Sequence, residues 1–192
     1  MAKMYVYRIL RFILSPIFKW YYNPTIIGGE NIPLDGPIII AGNHKHLYDQ
    51  CLAIITTKRV IHYMAKKEYF EGVMAWFFKA VGCIPVDRGR KDQAAKERAL
   101  EVLKNNGAIG IFPEGTRNKT DKFLLPFKFG AVSMAKKTGS YIVPFGITGD
   151  YKFRSNNLII RFGKAYKVTG ELGLENQKLE EEVSKLMKKN LK

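Results

Sequence analysis

Cysteine is scarce in this sequence: Cys51 and Cys83 are the two it has, with no CxxC pair. That excludes a disulfide framework and a structural metal site of the zinc-finger type, and it fits a reduced, cytosolic setting. No repeat or low-complexity tract is present, and no apolar run approaches the ~18 residues that a membrane-spanning helix needs. Acidic residues are also few, with 17 Asp and Glu against 32 Lys and Arg, a formal net charge of +15. The surface therefore carries a positive field that suits anionic partners: nucleic acid, anionic lipid, or small phosphorylated and acidic carrier substrates. No standard nucleic-acid motif accompanies that charge. The aromatic residues cluster with apolar neighbours instead of interleaving with a basic stripe, which argues against a nucleic-acid-binding protein.

What is present belongs to a chain that folds. A hydrophobic fraction of 46% over 192 residues supports one domain with a sizeable core, and nothing suggests two. Residues 1–22 read as an amphipathic segment ahead of a domain over 23–192. Arg8, Arg11 and Lys19 interrupt MAKMYVYRILRFILSPIFKW, which offers no small-residue cleavage site, so it is neither a span nor a signal peptide. At helical spacing Arg8, Arg11, Ser15 and Lys19 form one polar stripe on an apolar, aromatic-rich cylinder. Such a helix suits a membrane interface, with its cations among the headgroups. A core-capping helix or an oligomer contact carries the same pattern. Pro16 kinks or divides the segment, so one helix and a helix pair are both expected. A second aromatic cluster, Tyr69 to Phe78, reads mainly as core.

After the turn-rich GGENIPLDG, apolar runs alternate with helix-like ones, the pattern of an α/β domain. The strand candidates are PIIIAG, VIHYMA, CIPVD, AIGIF, YIVPFGI and NLIIRF. Helical character lies around Leu52 to Lys58, Tyr69 to Val81, Lys91 to Asn105, Gly130 to Thr138 and Leu174 to Leu191. Chemistry in such sheets sits in loops beyond the carboxyl ends of strands, which is where the polar clusters fall.

NHKHLYDQ, Asn43 to Gln50, directly follows PIIIAG. On a regular helix His44 and Asp49 point about 140° apart, so contact requires a strand-to-helix turn between them. With that turn the carboxylate accepts from one imidazole nitrogen and leaves the other free to take a proton from a bound hydroxyl. A metal reading needs further ligands, for which His46, Asp49 and distant His62 are the candidates; capping of the next helix is the plain alternative. In IFPEGTRNK, Pro113 and Gly115 force a turn after AIGIF, projecting Glu114, Thr116 and Arg117. Arg117 offers a planar fork for a phosphate. IPVDRGRK repeats the design with Arg88 and Arg90, and Asp87 pairs with one of them.

These motifs resemble those of the glycerolipid acyltransferase family: NHKHLYD its His-four-residues-Asp motif, VDRG its arginine motif, FPEGTR its signature turn and IVPFGI its proline-containing strand, in order over about residues 37–147. The resemblance implies an α/β fold with a mixed, mostly parallel sheet flanked by helices, and no cofactor and no metal. It implies transfer of a fatty acyl group from acyl-CoA or acyl-carrier protein to the 2-hydroxyl of lysophosphatidic acid, giving phosphatidic acid. Glycerol-3-phosphate or another lysophospholipid is the alternative acceptor. His44 is then the general base and Asp49 its orienter. Arg88 and Arg117, with Lys66 or Lys67, bind the phosphate, while Glu114, Gly115 and Thr116 shape the acceptor pocket. A peripheral or monotopic place on an anionic membrane, at its cytoplasmic face, is the matching location. Family members carry a small polar residue where this chain has His46, so the role of that imidazole stays open.

Overall fold

The computed structural model describes residues 4–87 and 92–191. Helix α1 (Tyr5–Tyr22) leads into β1 (Thr25–Ile27), β2 (Ile38–Gly42), α2 (Asp49–Thr56), β3 (Ile61–Lys66), α3 (Ala75–Ala80) and β4 (Ile84–Val86). Then come α4 (Gln93–Lys104), β5 (Ala108–Ile111), α5 (Gly130–Thr138), β6 (Tyr141–Thr148), β7 (Ile159–Phe162), β8 (Tyr166–Lys167) and α6 (Leu172–Asn190). One mixed sheet has the order β1-β7-β6-β2-β5-β3-β4, with β8 also on β6. Strands β6, β2, β5, β3 and β4 run parallel, and β7 is antiparallel to β6. The sheet is mostly parallel and helix-flanked, as the resemblance implies.

The apolar run IIIAG becomes the central strand because a parallel sheet covered on both faces needs apolar residues at every position. All five of its residues are buried. Alternation sends Ile38 and Ile40 to one face, against Leu52, Ala53 and Ile55 of α2. Ile39 and Ala41 go to the other, against α4, α5 and α6. Asp92 caps α4 by accepting from the Ala95 amide at 2.9 Å, which satisfies one of the orphan donors of the first turn.

Two expectations change and one open alternative is decided. The polar stripe of α1 does not lie wholly outward: Tyr7 is buried, Arg11 and Ser15 are half-buried, and Arg11 Nε donates to the Ile54 carbonyl at 2.9 Å. That carbonyl lies in the last turn of α2, where acceptors lack helical partners and a cation meets the negative end of the dipole. The outward face is apolar instead, with Phe12 at 81% and Trp20 at 62% exposure and Ile9, Ile13, Leu14, Ile17 and Tyr21 also exposed. Secondly, α1 is one helix with Pro16 inside it. Thirdly, the helix expected over Tyr69 to Val81 shortens to α3, preceded by a 3-10 turn at Lys67–Phe70, and much of its aromatic cluster is surface, with Tyr69, Val73, Met74 and Trp76 exposed. Among the described residues no helix is long and apolar enough to cross a membrane.

Helix α1 is also continuous with the core. The Tyr7 hydroxyl accepts from the Ile61 amide at 3.2 Å, Phe18 and Tyr22 pack on the α2 side of the sheet, and burial pushes the Tyr7 hydroxyl up to about 12.

Candidate active site

The site assembles at the carboxyl ends of β2 and β5. Asn43 anchors the first of these: its side-chain amide donates to the Ile147 carbonyl at 2.9 Å and accepts from the Ile147 amide at 2.7 Å. This two-way bond to β6 fixes where the following turn begins. In that turn His44 Nδ1 donates to Asp49 Oδ2 at 2.8 Å. The strand-to-helix turn required by the five-residue separation is therefore present, and Asp49 opens α2.

Asp49 is fully buried, which is costly for a carboxylate unless its oxygens are satisfied. They are. The Lys45 and His46 amides both donate to Oδ2 at 2.7 Å, and the Tyr151 hydroxyl donates to Oδ1 at 2.7 Å. The His44 ring lies flat on Phe112, with centroids 4.0 Å apart and planes at 12°. Carboxylate and phenyl together hold the imidazole in one orientation. Because Nδ1 is committed to Asp49, Nε2 is the edge left for the cavity that His44 lines.

Glu114 joins the two turns from below. Its Oε1 accepts from the His44 amide at 2.6 Å and its Oε2 from the Leu125 amide at 2.9 Å, and the Asn118 amide donates to the His44 carbonyl at 2.7 Å. Desolvation raises the Glu114 carboxyl above the usual range, opposed by those two amide bonds. Both oxygens are thus committed to backbone. The next residue, Gly115, has φ +72°, a conformation that favours glycine, and the end of the Lys128 side chain lies over it. Thr116 and Arg117 are exposed beyond it.

Two cavities lie near the dyad. One of about 420 Å³ is lined by His44, Phe112, Gly115, Lys96, Lys128 and Ser133. The other, about 520 Å³ and nearly all apolar, lies between α1 and α2 and includes Leu14, Phe18, Tyr48, Cys51, Tyr63 and Cys83. Tyr63 of the second stacks on Phe112 of the first at 5.7 Å, so a stacked pair of rings separates them. Burial pushes both Cys51 and Cys83 thiols up to about 11, well above the range of a reactive thiolate, and both cysteines are free.

Of the residues singled out from sequence, His44, Asp49, Glu114 and Gly115 come together. Lys66 closes β3 beside Val86 at the same edge of the sheet, with its ammonium 3.9 Å from Glu68, and Lys67 is exposed. Arg88 and Arg90, and with them the pairing expected of Asp87, lie outside the described residues. His46 stacks on Tyr151 at 4.2 Å, and His62 contacts the Gly82 carbonyl at 2.7 Å, away from the dyad. Among the described residues no group of three His, Cys, Asp or Glu side chains could hold a metal ion. Sequence reasoning passed over Asn43, Phe112, Lys128 and Tyr151. Phe112 opens the FPEGTR turn, a usable signal; Lys128, well past that turn, and Tyr151 carried none.

Comparison with known proteins agrees with this fold. The acyltransferase family profile matches residues 23–148. The 1-acyl-sn-glycerol-3-phosphate acyltransferase of Bacillus subtilis is 33% identical over 86% of this chain and 81% of its own length. The protein of the same name from Borreliella burgdorferi is 35% identical over 72% of this chain, which spans 56% of that relative's length. In three dimensions the chain is similar to the 1-acyl-sn-glycerophosphate (LPA) acyltransferase PlsC from Thermotoga maritima, with a TM-score of 0.80 at 24% identity, over 96% of this chain and 79% of that one; this likeness bears on the fold. With its profile match across most of the domain and its identity to the Bacillus relative, the chain belongs to the acyltransferase family.

Proposed function

We propose that the protein transfers a fatty acyl group from a thioester, acyl-CoA or acyl-carrier protein, to the 2-hydroxyl of lysophosphatidic acid. The observation that carries this reading is the bond from His44 Nδ1 to the buried Asp49 carboxylate, with the other imidazole edge left to a cavity that also holds Lys96 and Lys128. His44 Nε2 takes the hydroxyl proton as the oxygen bonds to the thioester carbonyl carbon. The tetrahedral oxyanion collapses, the C–S bond breaks, and the imidazolium returns its proton to the departing thiolate. Transfer is direct, since the two half-buried thiols are held protonated and among the described residues no serine is paired with the dyad.

Arg88, Arg117, Lys66 and Lys67 remain the phosphate-binding candidates read from sequence, and Lys128 joins them because its ammonium lies over Gly115 in the cavity that His44 lines. Glu114, Gly115 and Thr116 act on the acceptor through the shape of their turn. The apolar cavity under α1 suits an acyl chain. The exposed face of α1 and the patch at Val73, Met74 and Trp76 suit a peripheral or monotopic place on an anionic membrane at its cytoplasmic face.

The test is an assay of purified protein with lysophosphatidic acid and thioester donors of varied length and carrier, scored for phosphatidic acid. Product formation that depends on His44 supports the reading. Turnover only on glycerol-3-phosphate or another lysophospholipid reassigns the acceptor, and no acylation of any glycerolipid overturns it. A Lys128→Met variant separates phosphate binding from chemistry: the acceptor KM should rise about tenfold while kcat changes little.

A further inference from the structure

Asp49 is held unevenly. Its Oδ2 accepts from three groups, the His44 ring and two amides of its own loop, whereas Oδ1 accepts from Tyr151, 102 residues further along the chain. The loop after β6 that carries Tyr151 is built to hold it. The Lys45 ammonium donates to the Gly149 carbonyl and the Asp150 amide to Asn157 at 3.1 Å. The Tyr151 ring stacks on His46 at 18° and meets Tyr22 edge-on at 5.6 Å. Beyond it, the Arg154 amide donates to the Tyr21 carbonyl at 2.8 Å.

We propose that Tyr151 is a positioning residue of the dyad: its hydroxyl fixes the rotation of the Asp49 carboxylate and draws charge from it, and thereby sets the basicity of His44. This rests on the acyltransfer reading for its catalytic meaning. An ionised carboxylate only accepts, so the phenol must donate. Burial and the Asp49 charge both hold the Tyr151 hydroxyl protonated, with its titration displaced far upward. Removing the donor leaves more charge on Oδ2, stabilises the imidazolium and raises the pH at which His44 loses its proton. The other titratable groups around the pair are Glu114 from the β5 turn, Tyr63 of β3 and Cys51 of α2, with Asp87, Asp92, Lys96 and Lys128 in the cavity that His44 lines and Tyr22 and Tyr48 against the Tyr151 ring. None of them is altered by a change at position 151. His46 and Lys45, on the dyad's own loop, stay in place as well.

The experiment follows the histidine titrations of nitrogen-15-labelled protein by NMR, with His44→Gln for assignment, in wild type, Tyr151→Phe and a form carrying 3-fluorotyrosine at position 151. Tyr151→Phe keeps the ring contacts and should move the His44 titration up by roughly half a pH unit or more. The acid limb of kcat/KM should move with it, and kcat should fall about tenfold while the acceptor KM stays within about twofold. The fluorinated phenol, a stronger donor in an intact fold, should move His44 the other way. An unmoved His44 titration in the fluorinated protein, or in a folded Tyr151→Phe, overturns the proposal. Wild type that makes no phosphatidic acid defeats the acyltransfer reading separately, because the titration still judges the role of Tyr151.

Discussion

Glu114 accepts the backbone amide of His44 at 2.6 Å, so the turn after β5 and the turn after β2 form one rigid unit. Glu114→Gln places an amide donor against one of two backbone donors and should cost about 1–3 kcal/mol in chemical denaturation. Burial raises the Glu114 carboxyl, so folding takes up protons on it just above the ordinary carboxylate range, and its contribution falls as pH rises through that window. The glutamine variant lacks this dependence. Its deficit against wild type should therefore narrow between about pH 4 and about pH 6; a deficit that widens contradicts the assignment.

His44→Ala should lower kcat by about 10²–10⁴-fold. Its near-ultraviolet circular dichroism should stay close to native, because the His44 side chain gives up one hydrogen bond, to Asp49, and its stacking on Phe112, while its backbone keeps the contacts to Glu114 and Asn118. Retained turnover would remove the general base from the mechanism.

His46→Ser should keep substantial activity, within about tenfold of wild type. The imidazole stacks on Tyr151, whereas its contribution to Asp49 comes from the backbone amide, which serine retains. Steady-state kinetics on the purified variant decide it, and abolished turnover would make His46 part of the chemistry.

Phe12→Ser with Trp20→Ser should weaken sedimentation with anionic liposomes by about tenfold or more, as expected for two large apolar side chains withheld from lipid. The melting temperature should hold, since both rings are mostly exposed in the folded chain. Unchanged vesicle binding would show that the outward face of α1 is not the contact.

Much of this was legible in the sequence because the information is local. An unbroken apolar run makes the central strand, and a turn that follows it brings His44 and Asp49 together. What escaped depends on distant partners. β1 is three residues, Thr25–Ile27, whose pairing with β7 crosses more than a hundred positions, and β8 is two residues on β6. For α1 the periodicity of the polar stripe was plain, but a stripe of period 3.6 does not say which side faces the protein. The free carbonyls ending α2 decided that, by claiming Arg11. Tyr151 was invisible for the same reason: a tyrosine in a polar loop acquires meaning only when the loop closes over Asp49.

Tyr21 and Tyr22, at the end of α1, grip the loop that delivers Tyr151, and Tyr7, near its start, is plugged into the core. The helix is therefore a wall of the apolar cavity as well as the proposed mooring. Cutting it away confounds two losses, because a shortened chain that fails to turn over in detergent reveals nothing about lipid attachment. Separating mooring from chemistry calls for changes confined to the outward rings, with the inward ones left whole.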